Sequence, residues 1–283
     1  MQKSTKFAFS AVAAAAVLAL AACGGGGGDA PAASAPATTT PPPAPAITVQ
    51  GTAPAVTADP LAVVFVPSTE TSTRSTQQSI AANSFVASFQ KTTSEGAYTT
   101  IGPDANSLIS LSSGKVVDVS GNGEYAIGRW TDGSSNILGS LNSNQGAHYV
   151  VGKPLALNAD FSGAPTVKAN CTAIAATSPT ATSGNFAPGK LNSATGVIGI
   201  TFPGIETLTL DIAIGSDAHA TATITGTLLY GVGSASGVLF HLQALGSDPK
   251  NPLVALGYSM PTPTSGDVSG VVVLKCTSPT GPV

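Results

Sequence analysis

The stretch TLTLDIAI, residues 207–214, indicates the fold most clearly. Leucine or isoleucine occupies every second position from Leu208 to Ile214, and Thr207, Thr209 and Asp211 lie between them. A period of two is typical of an antiparallel strand that has one face in the core and the other in water. Residues 218–226 repeat the pattern with a polar face of histidine and threonine. We therefore expect an antiparallel β-fold.

Other strand-like segments surround this stretch and are separated by glycine, proline and asparagine. They are residues 62–66, 115–120, 124–130, 147–151, 166–175, 195–202, 220–230, 237–245, 253–258 and 268–276. Gly121-Asn122-Gly123 predicts a tight hairpin, because both central positions of such a turn accept positive φ. Gly231-Val232-Gly233 is interpreted as a flexible turn. The four-residue spacing of Phe85 and Phe89 predicts a short helix over Ile80 to Gln90.

The number of segments predicts the architecture. Eight strands from Ala147 onward suffice for a barrel whose interior is filled by side chains. Aromatic residues make up 5% of the chain, too few for the two aromatic girdles of a transmembrane barrel, and threonine-rich outward faces do not suit lipid. We predict an all-β protein: an antiparallel soluble β-barrel of about eight strands over residues 115–283, preceded by a smaller β-rich N-terminal region, residues 51–114.

The N-terminus predicts export and membrane attachment. Lys3 and Lys6 precede an apolar run, residues 7–20, that is too short to span a bilayer comfortably. The tetrapeptide LAAC, residues 20–23, resembles a bacterial lipobox, whose cysteine is acylated and becomes the mature N-terminus. Ordinary signal-peptidase cleavage is the alternative. We interpret residues 1–22 as a lipoprotein signal peptide and Cys23 as the lipidation site, and Gly24 is compatible with sorting to the outer membrane.

A low-complexity segment follows Cys23. It contains Gly24 to Gly28, many alanines and threonines, and Pro41-Pro42-Pro43. Such a composition cannot bury enough apolar surface to fold, and its prolines favour extended polyproline II structure. Residues 23–50 are therefore predicted to be a disordered tether between the lipid anchor and the folded part.

Charge excludes nucleic acid as a partner. The whole chain carries 11 basic and 14 acidic residues, and removal of Lys3 and Lys6 with the signal leaves a net charge of −5. A nucleic-acid-binding chain needs a basic patch, which this sequence lacks.

The remaining two cysteines predict a disulfide. With Cys23 acylated, Cys171 and Cys276 are left as an even pair in an oxidising compartment. Both are in phase with the apolar positions of their strands, so both thiols are expected to face the core. Two buried free thiols are the alternative.

No catalytic or metal-binding pattern is complete. Residues 112–115 spell S-x-x-K without the partner motifs of that enzyme class, and the calcium-like loop from Asp118 has Arg129 where glutamate is required. His148, His219 and His241 lie on separate segments without metal-ligand spacing. We therefore expect no enzyme activity, no cofactor and no metal, and we expect His241 to be at least partly buried and His219 to be solvated.

Two short motifs suggest a family. Residues 125–130, YAIGRW, and residues 148–152, HYVVG, resemble the β-barrel domains of transferrin-binding-protein-B-like outer-membrane lipoproteins. The resemblance covers residues 115–283, and the chain is much shorter than the two-lobed transferrin binders. It implies an anchored barrel that presents loops to a host protein or another ligand, and it assigns no binding residue. Trp130 and Tyr149 are expected to be packing residues.

These observations predict a non-catalytic, lipid-anchored binding module at the outer membrane, either surface-exposed or facing the periplasm. A carrier that encloses an apolar or haem-like ligand in the barrel is one alternative. A structural or adhesive envelope lipoprotein is another.

Overall fold

The computed structural model describes residues 46–75, 78–159, 162 and 167–278. The predicted signal peptide, Cys23 and the tether up to residue 45 lie outside these ranges. Within them the chain forms eighteen strands and a single 3-10 turn, Ala87–Phe89. The described residues contain no helix long and apolar enough to cross a membrane.

The first sheet is a half-barrel built from the first nine strands. These are β1 (Ile47–Gly51), β2 (Leu61–Val66), β3 (Ile80–Phe85), β4 (Lys91–Thr92), β5 (Tyr98–Ile101), β6 (Ile109–Gly121), β7 (Tyr125–Ser135), β8 (Gly139–Leu141) and β9 (Ala147–Gly152). Their order is β3-β2-β9-β7-β6-β5-β4, with β8 beside β7 and β1 parallel to β6. The predicted hairpin at Gly121-Asn122-Gly123 is confirmed, since it joins the antiparallel strands β6 and β7.

The second sheet is a nearly closed antiparallel barrel. Its strands are β10 (Lys168–Ala176), β11 (Thr180–Ala181), β12 (Lys190–Gly199), β13 (Gly204–Ile214), β14 (Asp217–Leu228), β15 (Gly231–Ala235), β16 (Val238–Leu245), β17 (Leu253–Thr262) and β18 (Gly266–Thr277). Eight of them follow the order β14-β13-β12-β10-β18-β17-β16-β15, and β11 pairs with β18. The prediction of an all-β fold with a barrel of about eight strands is confirmed.

Alternating side chains fill the barrel interior as expected. Leu208, Leu210, Ile212 and Ile214 of β13 are at most 3% exposed and belong to the interior core. Tyr258 of β17 packs among them and is fully buried. The period of two in the sequence therefore identified the inward face of this strand correctly.

The boundaries between regions differ from those predicted. The tether was predicted to extend to residue 50, but Ile47 and Val49 of β1 pack on the half-barrel core. Strand β6 runs across the predicted boundary between residues 114 and 115, and the two sheets divide between Gly152 and Lys168. The strands β6, β7 and β9 therefore belong to the half-barrel, because they pair with one another and not with the barrel strands.

Two local predictions were wrong. The helix over Ile80 to Gln90 is instead strand β3 followed by the 3-10 turn, because the backbone of β3 pairs with the fully buried β2. The flexible turn at Gly231-Val232-Gly233 is part of strand β15. Gly233 lies opposite Phe240 of β16, and a Cβ at Gly233 would be 2.6 Å from Phe240 Cζ, so the aromatic ring occupies the space above the glycine.

A separate buried layer joins the half-barrel to the barrel. Its apolar residues come from both sheets: Ala62, Val64, Val66, Tyr125, Ile127 and Val150 on one side, and Leu245, Leu253, Ala255, Val271 and Val273 on the other. Gly257 of β17 lies at a point of close approach, where an added Cβ would be 2.5 Å from Val66 Cγ2 and 2.8 Å from Val64 Cγ1. The two sheets therefore pack directly on each other in one folded body.

Substitution of Gly257 tests this layer. We expect Gly257→Ala to lower the free energy of unfolding by about 1–3 kcal/mol, because the new methyl group overlaps two valines that cannot move freely. The measurement is urea unfolding followed by Trp130 fluorescence and by circular dichroism.

The control is a double variant. Val66→Ala removes one of the overlapping methyl groups, so its combination with Gly257→Ala should cost less than the sum of the two single substitutions. If the losses of unfolding free energy were strictly additive, the contact between Gly257 and Val66 would be contradicted.

Candidate binding crevice in the barrel wall

Strands β10 and β12 pair along only part of their length. Their ladder runs from Lys168 opposite Gly199 to Thr172 opposite Thr195. Beyond Thr172, β10 continues beside β18, whereas β12 remains beside β13. The two strands therefore diverge and leave an open crevice of about 580 Å³ lined by residues 172–178 and 190–195. This volume is in the usual range for ligand sites.

Both ends of the crevice are closed. Thr172 and Thr195 are paired at one end. At the other end the Gly189 N–H donates to the Pro179 carbonyl at 2.8 Å. The crevice is therefore a slot within the barrel wall, and the end of β10 together with the two residues that follow it forms one of its sides.

Thr177 fixes the far end of β10 away from β12. Its N–H donates to the Val271 carbonyl at 3.1 Å, and its hydroxyl accepts from the Val271 N–H at 3.2 Å. The same hydroxyl lies 2.8 Å from Nδ1 of His148 on β9. Both contacts draw the chain toward β18 and the half-barrel, which is the physical reason for the divergence from β12.

Ser178, the next residue, also holds this part of the chain away from β12. The Ser178 N–H and hydroxyl donate to the Asp118 carboxylate at 2.9 and 3.3 Å. Arg129 Nε donates to the same carboxylate at 2.8 Å, and the Arg129 side chain is 7% exposed. Hydrogen bonds to charged groups contribute about 1.5–3 kcal/mol each. Asp118, the first residue of the calcium-like loop, thus binds protein groups that hold the crevice.

The disulfide lies at the near end of the crevice. Cys171 of β10 and Cys276 of β18 occupy directly opposite positions and are joined, with a Cα–Cα distance of 4.0 Å. Cα atoms farther apart than about 7 Å could not be bridged. The predicted bridge is thus present in the structure, and it secures β10 to β18 immediately before Thr172, where β10 loses β12 as a partner.

The lining of the crevice is small and weakly charged. Alanine, serine and threonine predominate, and Lys190 is the charged side chain among the described lining residues. Ile174 lies at an irregularity of the β10–β18 pairing and is 44% exposed. The surface is suited to non-covalent binding by shape, backbone groups and one apolar contact.

The three histidines do not come together. His148 is fully buried between the hydroxyls of Thr177 and Thr180. His241 is also buried, and its Nε2 lies 2.6 Å from a carboxylate oxygen of Glu70. The described residues contain no group of three side chains able to hold a metal ion.

His219 is exposed, and its Nδ1 lies 2.9 Å from the Asp211 carboxylate. The expected burial of His241 and solvation of His219 are therefore confirmed. The Glu70 partner was missed, because the two residues are 171 positions apart and no local pattern connects them.

The two motifs that suggested a family lie side by side. Gly128 is opposite Tyr149, Arg129 is opposite His148, and Trp130 is opposite Ala147 on the paired strands β7 and β9. The Trp130 indole N–H donates to the Tyr98 carbonyl at 2.7 Å, and the Tyr98 N–H donates to the Tyr149 hydroxyl at 3.0 Å. Both aromatic residues are fully buried, so the expected packing role is confirmed, and the motifs belong to the half-barrel.

Comparisons with known proteins find no matching family model, no matching curated protein and no matching solved structure. The assignment of a site therefore rests on the crevice geometry.

Burial makes His148 sensitive to pH. Desolvation lowers the pKa of His148 well below its ordinary value, and the nearby positive charge of Arg129 lowers it further. As the pH falls below about 6.5, the unfolded chain binds a proton at this position that the folded protein resists. The free energy of unfolding is therefore not reduced by His148 above that pH, and it decreases as the pH falls below it.

We expect His148→Gln to reduce the loss of stability between about pH 7.5 and about pH 5. The measurement is the urea midpoint at both values, with the exposed His219→Gln as the control. An equal acid-induced loss in wild type and His148→Gln would contradict the role of His148.

Removal of the disulfide tests the frame of the crevice. The bridge closes a sequence separation of 105 residues. We expect the double substitution Cys171→Ala with Cys276→Ala to cost about 2–5 kcal/mol of unfolding free energy, because the unfolded chain regains the constrained loop. Urea unfolding of the wild type with reductant should reproduce this loss. If reductant lowered the unfolding free energy of the double variant by the same amount, the loss in the wild type would not come from this disulfide.

Proposed function

We propose that this protein is a non-catalytic, lipid-anchored binding module of the outer membrane, whose ligand lies in the crevice between β10 and β12. The observation that supports binding is a rigid, open slot in a barrel wall that is otherwise continuous between these strands. A host protein or another envelope protein is the proposed ligand, in line with the family resemblance of the two motifs.

The N-terminal sequence supports the anchor. LAAC, residues 20–23, follows a short apolar run, and the segment up to residue 46 is rich in glycine, alanine and proline. The several acyl chains that lipoprotein processing adds make membrane attachment stable, whereas a single chain binds only marginally. The barrel would stand at a distance from the membrane on this tether.

The frame of the crevice supports tight binding. A disulfide holds one end of β10, and the contacts of Thr177 and Ser178 hold the other. A site that is rigid before binding loses little conformational entropy when the ligand arrives. These constraints suit recognition by a surface that is formed before the ligand arrives.

The barrel interior does not favour the carrier alternative. Leu210, Ile212, Ile224, Leu242 and Tyr258 are fully buried in one interior cluster. Side chains thus occupy the space that an apolar or haem-like ligand would require.

An adhesive role is the second candidate, and one observation favours it. Thr172, Thr195, Thr209 and Thr223 lie in one row across four neighbouring strands. Threonine is stiff at χ1, so the row offers an ordered set of hydroxyl and methyl groups on the outside of the barrel. Such a face could contact a surface without a specific pocket.

A capture experiment on cells tests the proposal. Intact cells that produce the full-length protein are incubated with labelled host serum, and labelled envelope extract is added to the mature protein purified from membranes. The variants are Ile174→Asp and its matched control Ile137→Asp, because both isoleucines are 44% exposed but only Ile174 lines the crevice. A third variant, Cys23→Ser, removes the lipidation site.

We expect Ile174→Asp to lower capture of the specific ligand at least about tenfold, since an unpaired charge replaces an apolar contact. Ile137→Asp should retain it, and Cys23→Ser should release the protein from the membrane. If capture survives Ile174→Asp but is lost in Thr223→Asp, the binding site is the threonine-rich adhesive face and not the crevice. Membrane retention of Cys23→Ser would contradict the anchor.

A further inference from the structure

The geometry of the crevice points to an extended peptide segment of the partner, added to the barrel wall as a β-strand. This inference rests on the proposed function and specifies the chemistry of its ligand. It follows from the pairing of the two strands that border the slot.

The two sides of the slot are unpaired strand edges. After Thr172 the only strand beside β10 among the described residues is β18, and before Thr195 the only strand beside β12 is β13. The edges that face each other across the slot therefore lack a strand partner in the described part of the chain. Unpaired edges carry N–H and C=O groups at strand spacing, which another extended backbone can match.

The closed ends limit the ligand. One edge comprises residues 173–176 of β10, because the N–H groups of Thr177 and Ser178 already donate to Val271 and Asp118. The other edge comprises residues 190–194 of β12. At about 3.3 Å per residue, four or five residues span about 13–17 Å. The slot thus accepts about four or five extended residues, and the chain must leave it toward solvent at both ends.

The side chains around the slot indicate the sequence of the ligand. Ile174 offers an exposed apolar contact, and Lys190 stands at the end near Gly189. The other lining residues are Leu191, Asn192 and a set of alanines, serines and threonines, and none is aromatic. A weakly charged strand-forming segment with one apolar side chain and one carboxylate near Lys190 matches this surface.

A backbone ligand explains the slot better than a sugar or a small apolar molecule. Sugar sites rely on flat apolar faces, which the lining does not provide, and apolar ligands need a dry pocket, whereas this slot is open. Main-chain hydrogen bonds supply the affinity in strand addition, and alternate side chains supply specificity. The unpaired edges offer the main-chain hydrogen bonds, and Ile174 and Lys190 offer the contacts that select side chains.

The experiment uses a library of acetylated and amidated hexapeptides, screened on the full-length protein purified from membranes. Peptides rich in valine, isoleucine and threonine, with an acidic residue near one end, should be enriched. With the best hexapeptide bound, amide hydrogen exchange should slow within residues 173–176 and 190–194. Ile174→Asp should weaken binding at least about tenfold and Lys190→Gln several-fold, while Ile137→Asp should leave it unchanged.

Backbone methylation separates strand addition from other binding modes. Successive N–H groups of a strand point to opposite neighbours, so methylating either alternate set should remove bonds to one edge of the slot. We expect each methylated analogue to bind at least about tenfold more weakly than the parent peptide.

The outcomes distinguish this inference from the proposed function. Methylated analogues that bind as tightly as the parent peptide, or an enriched peptide that changes no amide exchange in the slot, would overturn strand addition. Failure of every hexapeptide to bind would also overturn it. In each case a captured partner that remains sensitive to Ile174→Asp would preserve the crevice as the binding site. If Ile174→Asp changed neither peptide binding nor partner capture, both strand addition and the crevice as the binding site would be overturned.

Discussion

The buried apolar layer between the half-barrel and the barrel fixes the position of every other contact between the two sheets. Valines of β2 and β9 pack against β16, β17 and β18, and Gly257 allows a close approach of β17 to β2. Apolar burial supplies most of the free energy of such contacts and sets their distance. Without this layer, the half-barrel could not place His148 and Asp118 where they reach the far end of β10.

Polar contacts beside this apolar layer fix the relative orientation of the two sheets. Asp118 receives hydrogen bonds from Arg129 and Ser178, and His148 contacts Thr177. Glu70 and His241 form a further fully buried pair between the two sheets. Buried polar groups cost free energy when they lack hydrogen-bond partners, and a shifted arrangement of the sheets would leave several of them unpaired. These contacts therefore select one relative position of the half-barrel and the barrel, and with it the divergence of β10 from β12.

The crevice combines an open edge with protection against uncontrolled pairing. An exposed strand edge is a template for aggregation, and proteins usually cover or interrupt it. Here the unpaired edges lie inside the barrel wall and end at the Thr172–Thr195 pair and at Gly189. A slot closed at both ends admits one short segment and offers no edge on which a sheet could grow.

The local features of this protein could be predicted from its amino-acid sequence. The period of two identified the strands and the buried face of β13, the Asn-Gly step identified the β6–β7 hairpin, and the phase of Cys171 and Cys276 identified thiols that face the core. These features could be predicted because each depends on a few neighbouring residues and on the geometry of one strand.

The pairing of the strands could not be predicted, because it depends on contacts between distant parts of the chain. The tertiary structure assigned β7 and β9 to the half-barrel, converted the expected helix at Ile80 to strand β3, paired Glu70 with His241, and opened the slot beside Ile174. Alternation shows that a face is buried without showing what buries it. The contacts that create the candidate site join residues far apart in the chain, such as Asp118 and Ser178, so no local pattern could reveal them.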